Sequence, residues 1–236
     1  MKLGIIGAMD VEVATLKEKM TESVDRIVAG ACYREGKLEG LDAVVVQCGV
    51  GKVNAAICAQ ILCDCFAVTH IVNSGVAGSL CAELDIGDFV ISQDAMYHDF
   101  DIRGINPTNP VGQVPGISVH AFPADPELKS AAYAAAQSVC EGHAKIGRVA
   151  SGDQFVASKE AKEKIIADTQ AVCTEMEGAA TAHSAWRNGV PFVIIRAISD
   201  KADDSAHMDY PTFEAIAAQR STEVILRMAR RLKENV

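Results

Sequence analysis

The chain has 236 residues, 49% hydrophobic and 22% charged, with a formal charge of −9. That length and balance fit one large soluble domain, residues 1–236, able to bury a full core. The negative charge argues against a nucleic-acid backbone as partner and leaves a neutral or cationic small molecule open.

In chain order, residues 2–8 read as a buried strand and 11–20 as a helix. Residues 26–32 and 33–38 read as a hairpin, and the β-branched run 43–48 as a strand. Residues 53–66 are apolar nearly all round, which suits a buried helix. A short strand over 70–73 follows, then one from 89 to 92 continuing toward Tyr97. Pro126 opens an alanine-rich helix to about Glu141, with Asp125 as its N-cap. Residues 145–150 are a strand, and 158–167 a helix capped by Ser158. Residues 178–188 are a helix closed by Gly189. Residues 191–198 are the clearest strand. Residues 211–232 are a long amphipathic helix with Phe213, Ile216, Ala217, Val224, Met228 and Leu232 on one stripe. Residues 103–119 are the one long irregular stretch, a length that points to function or mobility. This alternation implies an α/β fold: a three-layer sandwich with a mixed central β-sheet flanked by helices.

The N-terminus is apolar only from Leu3 to Met9 and lacks a small-residue cleavage site, which argues against a signal peptide. The uncharged run 65–82 has the length of a weak membrane span. Its Asn73, Ser74, Gly75, Gly78 and Ser79 suit a strand and loop better, so a cytoplasmic protein away from membranes is expected. The eight cysteines show no CxxC spacing and read as free thiols in a reducing compartment. The histidines are scattered, and neither a metal nor a cofactor is expected.

Two glycine motifs carry less than they suggest. Gly4-Ile-Ile-Gly7 hints at dinucleotide binding, but G-x-G-x-x-G is absent. Gly49-Val-Gly-Lys52 resembles the tail of a P-loop. However, Val46 stands where the leading glycine belongs, and Val53 where a hydroxyl would hold magnesium. A strand-to-helix turn accounts for it. Residues 73–80 read as a glycine-rich strand exit, suited either to backbone contact with a ligand or to tight packing.

Chemistry gathers where apolar strands run into acids. Residues 171–177 end in Glu175-Met-Glu177, and residues 191–200 in Arg196 and Asp200. Sites in α/β sheets lie beyond the carboxyl ends of strands, which makes Glu177, Arg196 and Asp200 one candidate pocket. Glu12 either favours a helix dipole or faces that pocket. Phe155 could offer a stacking surface, and the backbone of Val156 a hydrogen-bonding edge, for a heterocyclic base.

Several segments occur in order along almost the whole chain. They are Gly4-Ile-Ile-Gly-Ala-Met-Asp-Val-Glu12, Gly49-Val-Gly-Lys-Val-Asn-Ala55, Asn73-Ser-Gly-Val-Ala-Gly78, Gly87-Asp88, Ser151-Gly-Asp-Gln-Phe155, Glu175-Met-Glu177 and Arg196-Ala-Ile-Ser-Asp200. Together they resemble the bacterial 5′-methylthioadenosine/S-adenosylhomocysteine nucleosidases of the nucleoside phosphorylase superfamily.

The resemblance implies a nucleoside phosphorylase-like fold and hydrolysis of the bond between adenine and a 5′-thio-substituted ribose. The transition state would be oxocarbenium-like, as in glycoside hydrolysis. It further implies that Asp200, oriented by Ser199, protonates adenine N7 while Glu12 activates water. Arg196 would help hold the water and the nearby carboxylates. Glu177, in the Glu175-Met-Glu177 segment, would bind the ribose hydroxyls, and Met176 would pack on the sugar. Phe155 and Val156 would hold the base. Met9, Val50 and Tyr210 would line the 5′ side.

The chain departs from the family at Val76, where a serine or threonine is common, and in the loop 103–115. In the family this loop caps the pocket of the other subunit in a homodimer; here Ile105 and Pro107 would supply the apolar cap. The rivals are a phosphorylase, a futalosine-type nucleosidase and a non-catalytic nucleoside binder. The acids Asp10 and Glu12, with no arginine in 7–17, disfavour phosphate. An acid and a base on opposite sides of one bond are not what binding alone requires.

Overall fold

Strand β1 (Lys2–Gly7) is buried from Leu3 onward and leads into helix α1 (Asp10–Lys19). In the computed structural model, which describes residues 1–203 and 205–234, the hairpin β2 (Thr21–Val28) and β3 (Ala31–Leu38) comes next. β4 (Leu41–Gln47), α2 (Lys52–Phe66), β5 (His70–Ser79) and β6 (Phe89–Tyr97) follow. The second half runs β7 (Phe122–Pro123), α3 (Pro126–Val139), β8 (Ala144–Ser151), α4 (Lys159–Thr169), β9 (Cys173–Glu175), α5 (Gly178–Asn188), β10 (Phe192–Asp200) and α6 (Ala206–Glu234).

The sheet is mixed and curls on itself. β5 pairs in parallel with β10, β10 antiparallel with β6, β6 and β9 each in parallel with β8, and β9 antiparallel with β5. This closes a circuit, and β1, β4, β3 and β2 extend from it as an open wing. One edge of β5 is therefore shared. Its first part is taken by β1, from Leu3↔His70 to Ile6↔Asn73, and its end by β9 at Gly78↔Thr174 and Ser79↔Cys173. Ser74, Gly75, Val76 and Ala77 lie between, where neither strand pairs.

The sheet separates two apolar layers. Leu3, Ile5, Val13, Leu16, Leu128, Val224 and Met228 pack on the side of α1, α3 and α6. Ile6, Val44, Ala59, Leu62, Ala182 and Ile194 pack on the side of α2 and α5. Helix α4 covers a smaller cluster that includes Leu80, Val156 and Ile165. This is the expected three-layer α/β sandwich with a mixed central sheet. β10 is buried at every position, as a strand covered on both faces should be.

Three local expectations need correction. The hairpin turns at Ala29-Gly30, not between Cys32 and Tyr33; both turn residues have positive φ, as a type I′ hairpin turn requires. Alanine at the first position hides that signal. The strand expected over 70–73 runs on to Ser79, so the glycines of this stretch lie within β5. Helix α6 begins at Ala206, ahead of Pro211, and Ile216 stays 54% exposed instead of joining the buried stripe.

The caps behave as the sequence suggests. The Asp125 side chain accepts the amides of Glu127 and Leu128 at 3.0 and 2.9 Å. Asp125→Ala should cost about 1 kcal/mol, a fall in melting midpoint of about 2–4 °C for a chain of this size. Thermal unfolding checks this, with kcat expected unchanged.

Candidate active site

The carboxyl ends of β1, β5, β9 and β10 and the loop after β8 meet at one pocket. Met9 leaves β1, Val50 follows β4, and Val76 sits in β5. Phe155 and Val156 follow β8, Glu175 ends β9, and Met176 and Glu177 come just after it. Ser199 and Asp200 end β10, and Tyr210 comes from the first turns of α6. All of these line the pocket together with Glu12.

Glu12 is buried and points back at the strand ends. Its Oε2 accepts the amides of Ala8 and Met9 at 2.7 and 3.0 Å. Its Oε1 accepts the Val76 amide at 3.3 Å, in the unshared stretch of β5. A Cβ at position 75 would stand 2.8 Å from Glu12 Oε1 and would push this carboxyl from its place, so the glycine lets Glu12 approach the strand. Burial pushes the Glu12 carboxyl up, against the pull of those amides and of the Arg196 charge.

Asp200 lies at another part of the same pocket. Its Oδ1 accepts the Ala202 amide at 2.8 Å, and its Oδ2 accepts the Ser199 hydroxyl at 2.9 Å. These two contacts fix the plane of the carboxyl. Burial again raises its proton affinity; Ala202 and Ser199 oppose, while Asp209 and Asp203 add to the rise.

Glu177 accepts the Gly51 amide on Oε1 at 2.7 Å. Burial, then the neighbouring Glu175 charge, pushes its carboxyl up to about 7, against the Gly51 amide and Arg196.

Glu175 touches the pocket but is taken up by the protein. Its Oε1 accepts the Ser151 hydroxyl, and its Oε2 accepts the amides of Glu177 and Gly178 at 3.2 and 2.7 Å. Arg196 donates to the same Oε2 through Nε, at 3.1 Å, and through Nη2. Arg196 also gives Nη1 to the carbonyls of Asn73 and Ile195, at 3.1 and 3.0 Å, and Nη2 to Asn73 Oδ1. A guanidinium has five N–H donors, and these five contacts account for them. Arg196 is thus absent from the pocket lining, and its charge reaches Glu12 and Glu177 from behind.

The remaining walls are apolar or aromatic. The Phe155 and Tyr210 rings meet edge to face, 5.6 Å apart at 77°, and the Tyr210 hydroxyl lies 3.2 Å from Met9 Sδ. Ile105, 86% exposed, and the exposed Pro107 do not line this pocket.

Sequence reasoning passed over Asn73 and Ser151, which hold Arg196 and Glu175. Both are buried polar residues in otherwise apolar strands, and that mismatch was the available signal. Ala8, Ala77, Gly78, Gln154 and Thr174 also line the pocket. Among the described residues no group of His, Cys, Asp and Glu is arranged to hold a metal, and no helix is long and apolar enough to cross a membrane. The eight cysteines are free.

A family profile for the Phosphorylase superfamily matches residues 2–230. A 5′-methylthioadenosine/S-adenosylhomocysteine nucleosidase from Geobacillus thermodenitrificans is 38% identical over 229 residues, 97% of this chain and 96% of that protein. The chain belongs to this nucleosidase family. The nucleosidase from Colwellia psychrerythraea, solved in complex with adenine, superposes with a TM-score of 0.93 at 38% identity. The match covers 98% of this chain and 96% of that one. A futalosine hydrolase from Helicobacter pylori superposes at 0.91 with 31% identity, covering 98% of each chain. Within the nucleosidase family this chain is an N-glycosyl hydrolase, and the pocket described above is its candidate active site.

The raised Glu177 carboxyl has a consequence for stability. The folded state holds this proton up to about pH 7, whereas the unfolded chain releases it near 4.5. The folded state therefore binds more protons in that window, and the Glu177 contribution to stability falls as pH rises from 4.5 to about 7. Glu177→Gln cannot titrate. Its stability relative to the wild type should improve across that window, as read by urea unfolding at pH 5 and pH 7.5.

Proposed function

We propose that this pocket hydrolyses the N-glycosidic bond of 5′-methylthioadenosine and S-adenosylhomocysteine, releasing adenine and the 5-thio-substituted ribose. The observation that carries the mechanism is that Glu12, in the first turn of α1, and Asp200, at the end of β10, two buried carboxyls of raised proton affinity, face one pocket. In this reading Asp200 gives its proton to adenine N7. The C1′–N9 bond breaks and its electron pair leaves with the base. Water adds to C1′ and loses a proton to Glu12. Such acid–base assistance contributes about 10²–10⁴-fold.

Glu177 keeps Oε1 on Gly51 and offers Oε2 to the ribose hydroxyls, with Met176 against the sugar. Phe155 stacks on adenine and the Val156 backbone reads its edge. Met9, Val50, Val76 and Tyr210 surround the sugar and its 5′ group. Arg196 and Glu175 act behind this layer: the five donors of Arg196 are already engaged, so it steers Glu12 and Glu177 by charge.

Water is favoured over phosphate as the acceptor of the ribosyl group. A phosphate needs arginines or aimed amides. Here the amides of Ala8, Met9 and Val76 point at the Glu12 carboxylate instead. The likeness to futalosine hydrolase makes a futalosine-type nucleoside the second substrate to try.

The enzyme works as a cytoplasmic homodimer of single-domain chains, residues 1–236. Supporting this, Ile105 and Pro107 project on the 103–115 loop away from their own pocket, and Val53 and Ile57 of α2 are exposed. Each loop then caps the partner's 5′ side.

Adenine release from 5′-methylthioadenosine, measured without and with phosphate, tests the reaction. Free 5-methylthioribose is expected in both buffers; a sugar 1-phosphate appearing only with phosphate would overturn hydrolysis. Asp200→Asn should lower kcat by about 10²–10⁴-fold, and unchanged turnover would remove Asp200 from its role.

A further inference from the structure

We propose that Asp153 is a positioning residue that sets the distance between the Glu177 carboxylate and the Phe155–Val156 wall. The inference rests on the nucleosidase reading above. Helix α2 starts at Lys52, and its N-cap is Gly51 at φ +99°, a residue with no side chain to hold the first amides. Its first amides are claimed by two carboxylates from distant strand ends. Gly51 donates to Glu177 Oε1 at 2.7 Å, and Lys52 donates to Asp153 Oδ1 at 2.9 Å.

These two amides are adjacent along the chain, and the Gly51 carbonyl is tied into the helix by the Ala55 amide at 3.1 Å, so they act as a ruler of fixed length whose N–H groups the helix leaves free for other acceptors. One end of the ruler holds the carboxylate assigned to the sugar. The other holds the residue that opens Asp153-Gln-Phe-Val156, the segment assigned to the base. A Cβ on Gly51 would come within 3.2 Å of Asp153 Oδ1, at a φ that side chains avoid, so the turn is shaped for this approach.

A second carboxylate braces the arrangement. Asp99 accepts the Asp153 amide on Oδ2 at 2.9 Å, and Lys52 Nζ on both oxygens at 2.6 Å. Asn54 Nδ2 closes the turn on the Val50 carbonyl at 2.7 Å. The Asp153 side chain is 50% exposed, so its charge is screened and the geometry of its hydrogen bond carries the effect. That exposure also means its truncation leaves the core untouched.

The experiment compares wild type, Asp153→Ala and Asp153→Asn by steady-state kinetics with 5′-methylthioadenosine and by calorimetric binding of adenine. In Asp153→Ala, KM and the adenine Kd should each rise about tenfold, the scale of one lost cap bond, while kcat changes less than about threefold. Asp153→Asn keeps an oxygen for the Lys52 amide and should restore most of both. Unchanged KM and Kd in Asp153→Ala would overturn the proposal. So would a fall in kcat as large as that in kcat/KM, or an Asn variant as impaired as the Ala variant. The two failures separate cleanly. A wild type that binds adenine but does not cleave the nucleoside would sink the nucleosidase reading, while adenine affinity would still decide the role of Asp153.

Discussion

The ion pair between Arg196 and Glu175 is the contact on which the site's geometry depends. Both side chains are almost fully removed from water, which is costly unless every polar atom is satisfied. Here the cost is offset by hydrogen bonds that reach across the sheet. Arg196 from β10 engages Asn73 of β5, and Glu175 at the end of β9 engages Ser151 of β8. Glu175 also takes the amides of Glu177 and Gly178, and Ser151 takes that of Ala179 at 2.7 Å. The start of α5 is therefore anchored by the same cluster. Removing one partner of such a pair leaves a buried charge uncompensated, at about 3–5 kcal/mol.

That cluster also sorts the pocket acids. Glu12 and Glu177 both feel the Arg196 charge, whereas Asp200 is perturbed by burial and by the carboxylates Asp209 and Asp203. Carboxyls in one pocket thus meet different surroundings, the arrangement by which acid and base roles are divided at a single pH. Three backbone amides favour the charged form of Glu12. One amide and one hydroxyl hold Asp200, and Asp209 and Asp203 push it toward its protonated form. The two carboxyls are thus raised by the same burial but against different local partners, Glu12 opposed by amides and the Arg196 charge, Asp200 helped by neighbouring carboxylates.

Much of this was legible in the sequence because strand ends carry a visible mismatch. An apolar run that stops on Glu175-Met-Glu177 or on Ser199-Asp200 advertises a site before any pairing is known. The helices announced themselves through Asp125, Ser158 and Gly189. What stayed hidden depends on pairing between distant segments. Nothing local says that β5 gives half an edge to β1 and its end to β9, leaving Val76 facing Glu12. Gly75 and Gly78 read as part of a strand exit, since glycine serves ligand approach and tight packing alike; here they lie within β5 and make room for Glu12 and Asp200. Arg196 was legible as a member of the site, but its direction was not, since only the fold puts Asn73 and Glu175 around it.

The same logic separates what the fold decides from what the walls decide. A nucleosidase and a futalosine hydrolase superpose on this chain almost equally well, at 0.93 and 0.91, so the sheet and its strand ends are common ground. Selectivity must then come from groups the sheet does not fix. On the apolar side of the pocket these are Met9, Tyr210 and Phe155: Tyr210 meets both of the others, although the three come from different connections. Their meeting surface is a thioether beside two aromatic rings, polarizable and almost without charge. Such a wall offers dispersion contacts to an apolar or sulfur-bearing group and gives no counter-charge to an anion. The acids are held by the sheet and the apolar wall by loops and a helix start. Changes in the wall can therefore alter what the pocket accepts without disturbing Glu12, Glu177 or Asp200.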